Sequence, residues 1–386
     1  MDIKTPESVR GVGRNSTSDN VSTRKDATRE DASFPMYVMR ENDLLSFPAE
    51  EGIPSHEEAL EMGKIFEVVE DPLRKGDFIV YTVNTGRKRG TPLTRPGTRF
   101  VELRFTRSDF RSISHQWIRP SRDPKQAHPD YADHRKFKAL QACIRDRGAE
   151  QLDKFIWMDY FSVPQAEDEE SKQLQKDALD SIGCYFLAAS GLFIISDEKK
   201  LKDISEGYLS RGICLMELAT SKLPRVDMYG KWYIPGFEEK GQWGQAQALL
   251  LCTDSQNQCI GYKIEDLDWS FYNLAGNPVR GNFTHQPDRE EIKKLLISYT
   301  KKFEDFYTEY LEPIRKCTTW DEVAMLPSEL RPQIWTAERV FSNPVEFVDN
   351  YLPQSYILTL RGGLNEYESG LSLSESFEKC TLSEEV

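Results

Sequence analysis

Polar residues follow three short apolar runs of the sequence, and they are the first candidates for chemistry. Ser114–Trp117 follows FRSI, Asp159–Tyr160 follows FIWM, and Ser196–Asp197 follows LFII. An imidazole can carry protons near neutral pH, a carboxylate can steady a positive charge, and an indole can stack on a planar ring. Ligands of open α/β sheets bind beyond the carboxyl ends of the strands. We therefore expect a site where these runs end.

Three of these side chains also have a purely structural explanation. His115 can close the end of a strand through a hydrogen bond. Asp159 can hold the following loop through backbone bonds as well as face a ligand. Trp117 can pack in the core against the sheet. The sequence alone leaves both alternatives open for each residue.

A further carboxylate, Glu217, lies in the segment SRGICLMELATSK among apolar neighbours that include Leu215, Met216 and Leu218. This segment has the composition of a helix, so Glu217 points either to solvent or inward to a cleft. Helical periodicity alone favours solvent, because a glutamate is almost never fully buried without a partner.

The elements that must position these residues alternate between strands and helices. The short apolar or β-branched runs FVELRFT, DFRSISHQW, KFIWMDYF and SGLFIIS predict strands. The segments HRKFKALQACIRDRG, ESKQLQKDALDSIGCYFLAA and RGICLMELATSKL predict helices. Strands that alternate with helices require crossover connections and favour a mostly parallel sheet. The predicted fold class is therefore α/β.

The chain divides into five predicted segments. Residues 1–33 are polar and charged, and we expect a disordered tail. Residues 34–97 are a small lead-in with one clear strand, FIVYTV, and 98–232 form the α/β domain. Residues 233–365 are mainly helical because DREEIKKLLISYTKKFEDFYTEYLEPI has an apolar stripe at helical spacing. Residues 366–386 are rich in Ser and Glu and predict a flexible acidic tail.

The composition argues against several classes of protein. The 386 residues include 50 Lys and Arg against 63 Asp and Glu, which gives a formal net charge of −13. Binding to nucleic acid relies on cationic side chains that displace counterions, so we expect no nucleic-acid partner. The 7 cysteines are scattered, and the 5 histidines lack the spacing of a helical zinc site. We expect free thiols and no metal.

The sequence also predicts a cellular location. The N-terminal residues MDIKTPESVRG lack the apolar stretch of a signal peptide, and the longest apolar run, Ile182–Ile195, is too short to span a bilayer. Free thiols indicate a reducing compartment. We expect a cytoplasmic protein with no membrane partner.

The order of these motifs resembles a known family. FRSISHQW, KFIWMDYFSVPQ, SGLFIIS and YLSRGICLMELA follow one another as in the Toll/interleukin-receptor (TIR) domain. The segment SRGICLMEL (Ser210–Leu218) resembles its Ser-x-x-Cys-x-x-Glu-Leu helix most closely, with three residues instead of two between Ser210 and Cys214. FIWMDYFSVPQ also looks like the Trp-Ile-Asp signature of fungal heterokaryon-incompatibility (HET) domains. The chain departs from the pattern where Ile213 replaces a Trp, at His115, and in a longer insertion, 118–134. The resemblance covers about a third of the chain.

The resemblance implies a flavodoxin-like three-layer domain with a mostly parallel central sheet and a helical C-terminal extension. It implies a signalling or cell-death module in which Glu217 is catalytic for cleavage of the nicotinamide–ribose bond of NAD. Ser114, His115, Trp117 and Asp159 would bind NAD, which is the substrate, and no cofactor is required. The partners it implies are other copies of the chain or other TIR/HET-like domains.

Two other functions compete with this one. The first is a non-enzymatic module of the same fold that self-associates through the same surface. The second is a phosphate-binding or glycosyl-transferring α/β enzyme. No Gly-rich phosphate loop follows a strand, and the nearest segment, GRKRG (86–90), has no helix signal after it. The phosphate-binding or glycosyl-transferring enzyme is therefore the least supported of the three functions.

Overall fold

A computed structural model of the chain describes most of the region between residues 36 and 369. The described residues are 36–70, 77–82, 100–106, 110–118, 129–147, 154–166, 168–189, 191–223, 225–226, 232–233, 246–256, 258–284, 286–327, 330, 338 and 341–369. The predicted tail 1–33, the segment GRKRG and most of the insertion 118–134 lie outside them.

Strands in the described residues form one large mixed sheet and one separate pair. In chain order they are β1 (Met36–Arg40), β2 (Ile65–Glu70), β3 (Asp77–Thr82), β4 (Phe100–Thr106), β5 (Phe110–His115), β6 (Phe155–Trp157), β7 (Gly191–Asp197), β8 (Arg225–Val226), β9 (Trp232–Tyr233), β10 (Ala246–Thr253) and β11 (Cys259–Asp266). The nine-stranded sheet has the order β11-β10-β7-β5-β6-β1-β2-β3-β4, and β8 pairs with β9.

The centre of the large sheet is parallel. β5 pairs in parallel with both β6 and β7, and β10 pairs in parallel with β7. Numbered along the chain, these four strands lie in the spatial order 2-1-3-4. Because parallel strands end at the same edge, the residues that follow β5, β6 and β7 are brought to one side of the sheet.

The outer strands are antiparallel, which corrects the prediction of a mostly parallel sheet. The pairs β1–β6, β1–β2, β2–β3, β3–β4 and β10–β11 all run antiparallel. FVELRFT is a strand, β4, but it lies at the end of the antiparallel part. Connections such as the one from Thr253 to Cys259 are too short to hold a crossover helix, so the strands that they join must turn back.

Helices cover both faces of the sheet. They are α1 (Glu41–Leu45), α2 (His56–Glu61), α3 (Arg135–Asp146), α4 (Asp159–Ser162), α5 (Glu169–Asp180), α6 (Ile182–Ala188), α7 (Glu198–Leu201), α8 (Gly212–Ser221), α9 (Trp269–Ala275), α10 (Gln286–Phe306), α11 (Glu312–Arg315), α12 (Trp320–Ala324), α13 (Pro344–Tyr351) and α14 (Gln354–Ser369). A 3₁₀ turn (Tyr208–Ser210) precedes α8, and a π-helical turn (Tyr307–Leu311) joins α10 to α11.

The alternation of side chains along β5 separates the core into two clusters. Phe110 packs with residues of α6, α8 and α10, whereas Ile113 packs with Phe137 and Leu140 of α3. Successive residues of a strand point to opposite faces, so the sheet lies between two helical layers. This confirms an α/β fold.

α8 is covered on both sides. All of its residues except Ile213 and Ser221 are buried, because α6 and α10 pack against it in addition to the strands β5 and β7. A helix that is apolar all round is one that is enclosed. The solvent position that periodicity alone favoured for Glu217 does not exist in this arrangement.

The predicted helices of the α/β region are present, with one interruption. ESKQLQKDALDSIGCYFLAA forms two helices, α5 and α6, which meet at Ser181. The Ser181 hydroxyl donates to the carbonyl of Asp177 at 2.8 Å, a local bond that competes with continuation of the helix.

The predicted domain boundaries fall within a single sheet. Ala32–Val386 clusters as one compact unit, and β1 to β4 and β10 to β11 join the strands of the predicted α/β domain. α14 extends to Ser369, so the predicted acidic tail begins inside a helix, and 370–386 lie outside the described residues. None of the described helices combines the length and the apolar character that a bilayer crossing requires.

Candidate functional site

Glu217 points inward from α8 and contacts the end of β5. It is 6% exposed, and its Oε2 atom is hydrogen-bonded to the Ser114 hydroxyl. Ser114 is itself fully buried. The contact joins the helix of the Ser-x-x-Cys-x-x-Glu-Leu segment to the carboxyl edge of the parallel strands, which is where open α/β sheets bind ligands.

One residue that sequence reasoning missed, Tyr208, completes this network. Tyr208, in the 3₁₀ turn before α8, has its hydroxyl 2.6 Å from Ser114 Oγ and 3.1 Å from the carbonyl oxygen of Cys214. Tyr208 is 0% exposed. No periodic pattern marks Tyr208 in YLSRG, because it lies in a turn that only the packing of α8 fixes.

Burial sets the protonation of Glu217. It raises the pKa of the Glu217 carboxyl well above the ordinary carboxyl value, the hydrogen bond from Ser114 acts in the opposite direction, and the negative charge of Asp159 raises the pKa further. A buried carboxyl without a cationic neighbour is more stable as the neutral acid. Burial therefore favours the protonated form of Glu217 in the resting protein.

The second group of side chains gathers around Asp159. His115 Nε2 lies 2.8 Å from Asp159 Oδ1, and Trp117 Nε1 donates to Asp159 Oδ2 at 2.7 Å. The His115 and Trp117 rings are nearly parallel, with centroids 6.5 Å apart. One carboxylate thus fixes both aromatic side chains that follow β5.

Asp159 is the ionised carboxylate of the site. Burial raises its pKa, but the charge of His115 and hydrogen bonds from His115, Trp117 and the Tyr160 backbone outweigh that effect, so the pKa lies below the ordinary value. The Asp159 side chain remains 34% exposed, whereas that of His115 is 1% exposed. A ligand can therefore reach the carboxylate.

Two ring systems beside Asp159 offer a surface for a planar group. Trp117 meets Tyr160 edge to face, with centroids 5.6 Å apart, and Trp117 is only partly buried. On the other side of the carboxylate, His115 Nδ1 is buried and makes no hydrogen bond in the part of the chain that the structure describes. The exposed indole is the surface on which a base could stack.

The structure therefore brings the five predicted residues together as two groups. Ser114 contacts Glu217, while His115 and Trp117 contact Asp159. The two groups meet near the start of α8, where Cys214 Sγ lies 3.6 Å from the carbonyl oxygen of His115. The charge of Asp159 acts on Glu217, so the two carboxyl groups share one electrostatic environment.

A buried lysine, Lys136 of α3, contacts the backbone beside the second group. Its ammonium donates to the carbonyl oxygens of Gln116 at 2.5 Å and Pro129 at 3.0 Å. Burial lowers the pKa of Lys136 to about 8, which the charge of Asp130 only partly offsets. The sequence contained a signal for it, because Lys136 shares a helix face with the buried Leu140 four residues later.

The third strand end predicted for chemistry is occupied by a structural contact. Asp197 accepts a hydrogen bond from the Tyr131 hydroxyl, and Arg135 lies over the Tyr131 ring, 4.3 Å from its centroid. Ser196 bonds to the carbonyl oxygen of Asp197 at 3.2 Å. These contacts fix the start of α3 against β7.

Neither a metal-binding group among the described residues nor a known relative helps to assign a function to this site. Among the residues that the structure describes, no group of three or more His, Cys, Asp or Glu side chains could hold a metal ion. Comparison of the chain with models of protein families, with curated proteins and with solved structures finds no match.

Proposed function

We propose that the chain is a TIR/HET-like signalling or cell-death module that hydrolyses the nicotinamide–ribose bond of NAD through Glu217. One observation carries the proposal: Glu217 faces Ser114 at the carboxyl edge of the parallel strands, beside the accessible carboxylate of Asp159. Most glycoside hydrolases use a pair of carboxyl groups to break the glycosidic bond.

The strand order supports the same assignment of fold. The parallel centre has the order 2-1-3-4, which is the beginning of the flavodoxin-like order 2-1-3-4-5. In such sheets the ligand lies where the order reverses, between the first and third strands. Here these are β5 and β7, and Ser114 lies at the end of β5. We propose a flavodoxin-like core with the site at this reversal.

The proposed reaction depends on the charges of the substrate and of the carboxyl groups. Cleavage passes through a ribosyl cation, which a fixed carboxylate stabilises. The bonding electron pair leaves with the nicotinamide ring, which departs neutral and needs no acid. Water then adds to the ribose carbon, and its proton passes to a carboxylate. NAD brings a positively charged pyridinium ring, and a nearby positive charge lowers the pKa of Glu217.

We propose in addition that the protein is cytoplasmic and acts on assembly with other copies of itself. Cys143 and Cys214 are buried free thiols, as a reducing compartment preserves them. NAD is the substrate, and no cofactor or nucleic acid takes part.

A non-enzymatic self-association module is the second candidate. The observation in its favour is that Glu217 is 6% exposed and already bonded to Ser114, which is what a residue that only ties α8 to β5 would show. This function predicts intact NAD, assembly that depends on protein concentration, and no effect of Glu217 on activity.

The experiment measures NAD consumption by the purified full chain over a range of protein concentrations. Glu217→Ala is compared with Glu309→Ala, which removes an exposed glutamate of the π-helical turn. We expect wild type and Glu309→Ala to consume NAD and Glu217→Ala to be slower by about 100-fold or more. Equal rates in all three would remove Glu217 from the mechanism, and no consumption under any condition would favour the second candidate.

A further inference from the structure

The hydrogen bonds around Glu217 need more protons than Ser114 and Tyr208 can supply. Three contacts link four oxygen atoms in a row: Glu217 Oε2 to Ser114 Oγ, Ser114 Oγ to Tyr208 OH at 2.6 Å, and Tyr208 OH to the carbonyl oxygen of Cys214 at 3.1 Å. Each contact requires one proton between its oxygens. Two oxygens at 2.6 Å with none would repel each other.

The count of protons determines the direction of the chain. Ser114 and Tyr208 carry one hydroxyl proton each, and the carbonyl oxygen of Cys214 carries none. The third proton can come only from Glu217. The hydrogen bonds then run from Glu217 to Ser114, from Ser114 to Tyr208, and from Tyr208 to the carbonyl oxygen of Cys214. An ionised Glu217 would leave one of the three contacts without a proton.

The surroundings of Glu217 favour the same state. Among the described residues, the one charged group that acts on Glu217 is Asp159, which is negative, and no cation contributes. The charge of Glu217 in turn raises the pKa of its neighbours Tyr208 and Cys214. The pKa of Glu217 is raised by burial, and that of Asp159 is lowered by its partners. Carboxyl groups whose environments separate them in this way divide the roles of acid and base.

We propose that Glu217 is a neutral acid in the resting protein, and that the site also hydrolyses neutral N-ribosides, namely purine nucleosides or nucleotides, with Glu217 protonating the departing base. This inference rests on the proposed function, because it assigns a second substrate class to the same site. A purine leaves as an anion unless it is protonated, so it needs the acid that nicotinamide does not need.

The reaction balances with the residues described. The proton of Glu217 moves to a ring nitrogen of the purine, and the electron pair of the bond between the base and the ribose carbon moves to the base. Asp159 steadies the ribosyl cation, and the exposed face of Trp117 can hold the purine. Water adds to the ribose carbon and returns a proton to Glu217. The products are the free base and the ribose, and no oxidant or reductant is consumed.

One group then produces opposite pH dependences for the two substrates. Hydrolysis of NAD uses ionised Glu217, so kcat/KM rises as the pH passes upward through the pKa of Glu217. Hydrolysis of a purine riboside uses protonated Glu217, so kcat/KM falls over the same range. We expect both limbs to share one midpoint, because both report Glu217 of the free enzyme.

Tyr208→Phe provides a matched variant that leaves Glu217 in place. Without the Tyr208 hydroxyl, Ser114 is free to donate to the Glu217 carboxylate, so ionisation of Glu217 no longer breaks a hydrogen bond. One bond corresponds to a shift of about one pH unit at most. We expect the midpoints of both limbs to move to lower pH by the same amount, whereas a purely structural loss would lower both rates without moving them.

The test combines these profiles with a reading of the proton itself. The full chain is assayed with NAD and with inosine as the neutral riboside, and infrared difference spectra compare wild type with Glu217→Gln. We expect a carboxylic acid carbonyl band that Glu217→Gln removes, and inosine hydrolysis that Glu217→Gln slows about 100-fold or more. Absence of that band at neutral pH, or hydrolysis of NAD without any hydrolysis of inosine, would overturn the inference. Hydrolysis of inosine without hydrolysis of NAD would overturn the proposed function instead.

Discussion

Ser114 and His115 are consecutive residues of β5, yet their side chains lie on opposite faces of the sheet. Ser114 reaches Glu217 in α8, and His115 reaches Asp159 at the start of α4. The two residues share one peptide bond at the strand end, so one short stretch of β5 contacts both carboxyl groups of the site.

The first prediction concerns the proton on Glu217 and the stability of the fold. The folded-state pKa of Glu217 is raised, so its stabilising contribution is complete below the ordinary carboxyl pKa and is lost as the pH rises through the folded value. The amide of Glu217→Gln can donate to Ser114 as the acid does. We expect Glu217→Gln to match wild type at about pH 4, below the ordinary carboxyl pKa, and to exceed it increasingly at higher pH, as measured by urea unfolding.

Glu217→Ala is the contrasting variant. It leaves the Ser114 hydroxyl without a donor in the core, which costs about 1 to 3 kcal/mol of unfolding free energy. If Glu217→Gln at about pH 4 were as unstable as Glu217→Ala, the hydrogen-bond chain would not begin at a protonated carboxyl.

The second prediction concerns Asp159 at low pH. Its pKa is depressed in the folded protein, so its contribution to stability is present above the ordinary carboxyl pKa and is lost as the pH falls through the folded value. Asp159→Asn should lose less unfolding free energy than wild type as the pH falls, by about 1 to 2 kcal/mol. This is the lower part of the range for charged hydrogen bonds, because the Asp159 side chain is partly exposed to solvent. Asp180→Asn, at an exposed position, serves as the control, and an equal change in both variants would contradict the assignment.

The third prediction concerns Lys136 at high pH. Its folded-state pKa is about 8, below the ordinary lysine value of about 10.4. Its stabilising contribution is therefore present above the ordinary value and is lost as the pH falls through the folded value. Wild type should gain roughly 3 kcal/mol of stability relative to Lys136→Met across that interval.

Lys138→Met is the matched control for this measurement, because Lys138 is exposed on the same helix. Urea unfolding at neutral and at alkaline pH would measure the difference. Parallel profiles for wild type and Lys136→Met would show that the ammonium is not held in a buried site.

The fourth prediction concerns the close approach at the start of α8. A Cβ atom on Gly212 would lie 2.0 Å from Cζ of Phe283. Gly212→Ala should therefore cost about 1 to 3 kcal/mol through overpacking. Gly261→Ala in β11 is the control, because a Cβ atom there meets nothing within 4 Å. The pair Gly212→Ala with Phe283→Ala should recover part of the loss, and no recovery would point to another cause.

Local patterns were sufficient to predict the elements that carry the site. The spacing of Phe137, Leu140 and Ile144 predicted α3, and the apolar runs before Ser114 and Asp159 predicted β5 and β6. The antiparallel outer strands could not be predicted from these patterns, because the direction of a strand depends on connections that cross the whole sheet. The break at Ser181 was also missed, since it depends on one side-chain bond.

The position of Glu217 could not be predicted from local sequence patterns. Periodicity favoured solvent for it, but α10, some 70 residues later in the chain, also packs against α8. The burial of Glu217 and its contact with Ser114 depend on long-range packing. The pairing of His115 and Trp117 with Asp159 was likewise invisible, because it needs two strands in register. The roles of all five residues in binding and catalysis remain predictions.

The arrangement of β1 and β10 determines how the protein can be divided. β1 lies between β6 and β2, and β10 lies between β7 and β11, so the central strands β5, β6 and β7 are flanked on both sides by strands from other parts of the chain. A fragment of residues 98–232 would carry β6 and β7 with one bare side each. Bare strand edges recruit other chains, so such a fragment is expected to aggregate.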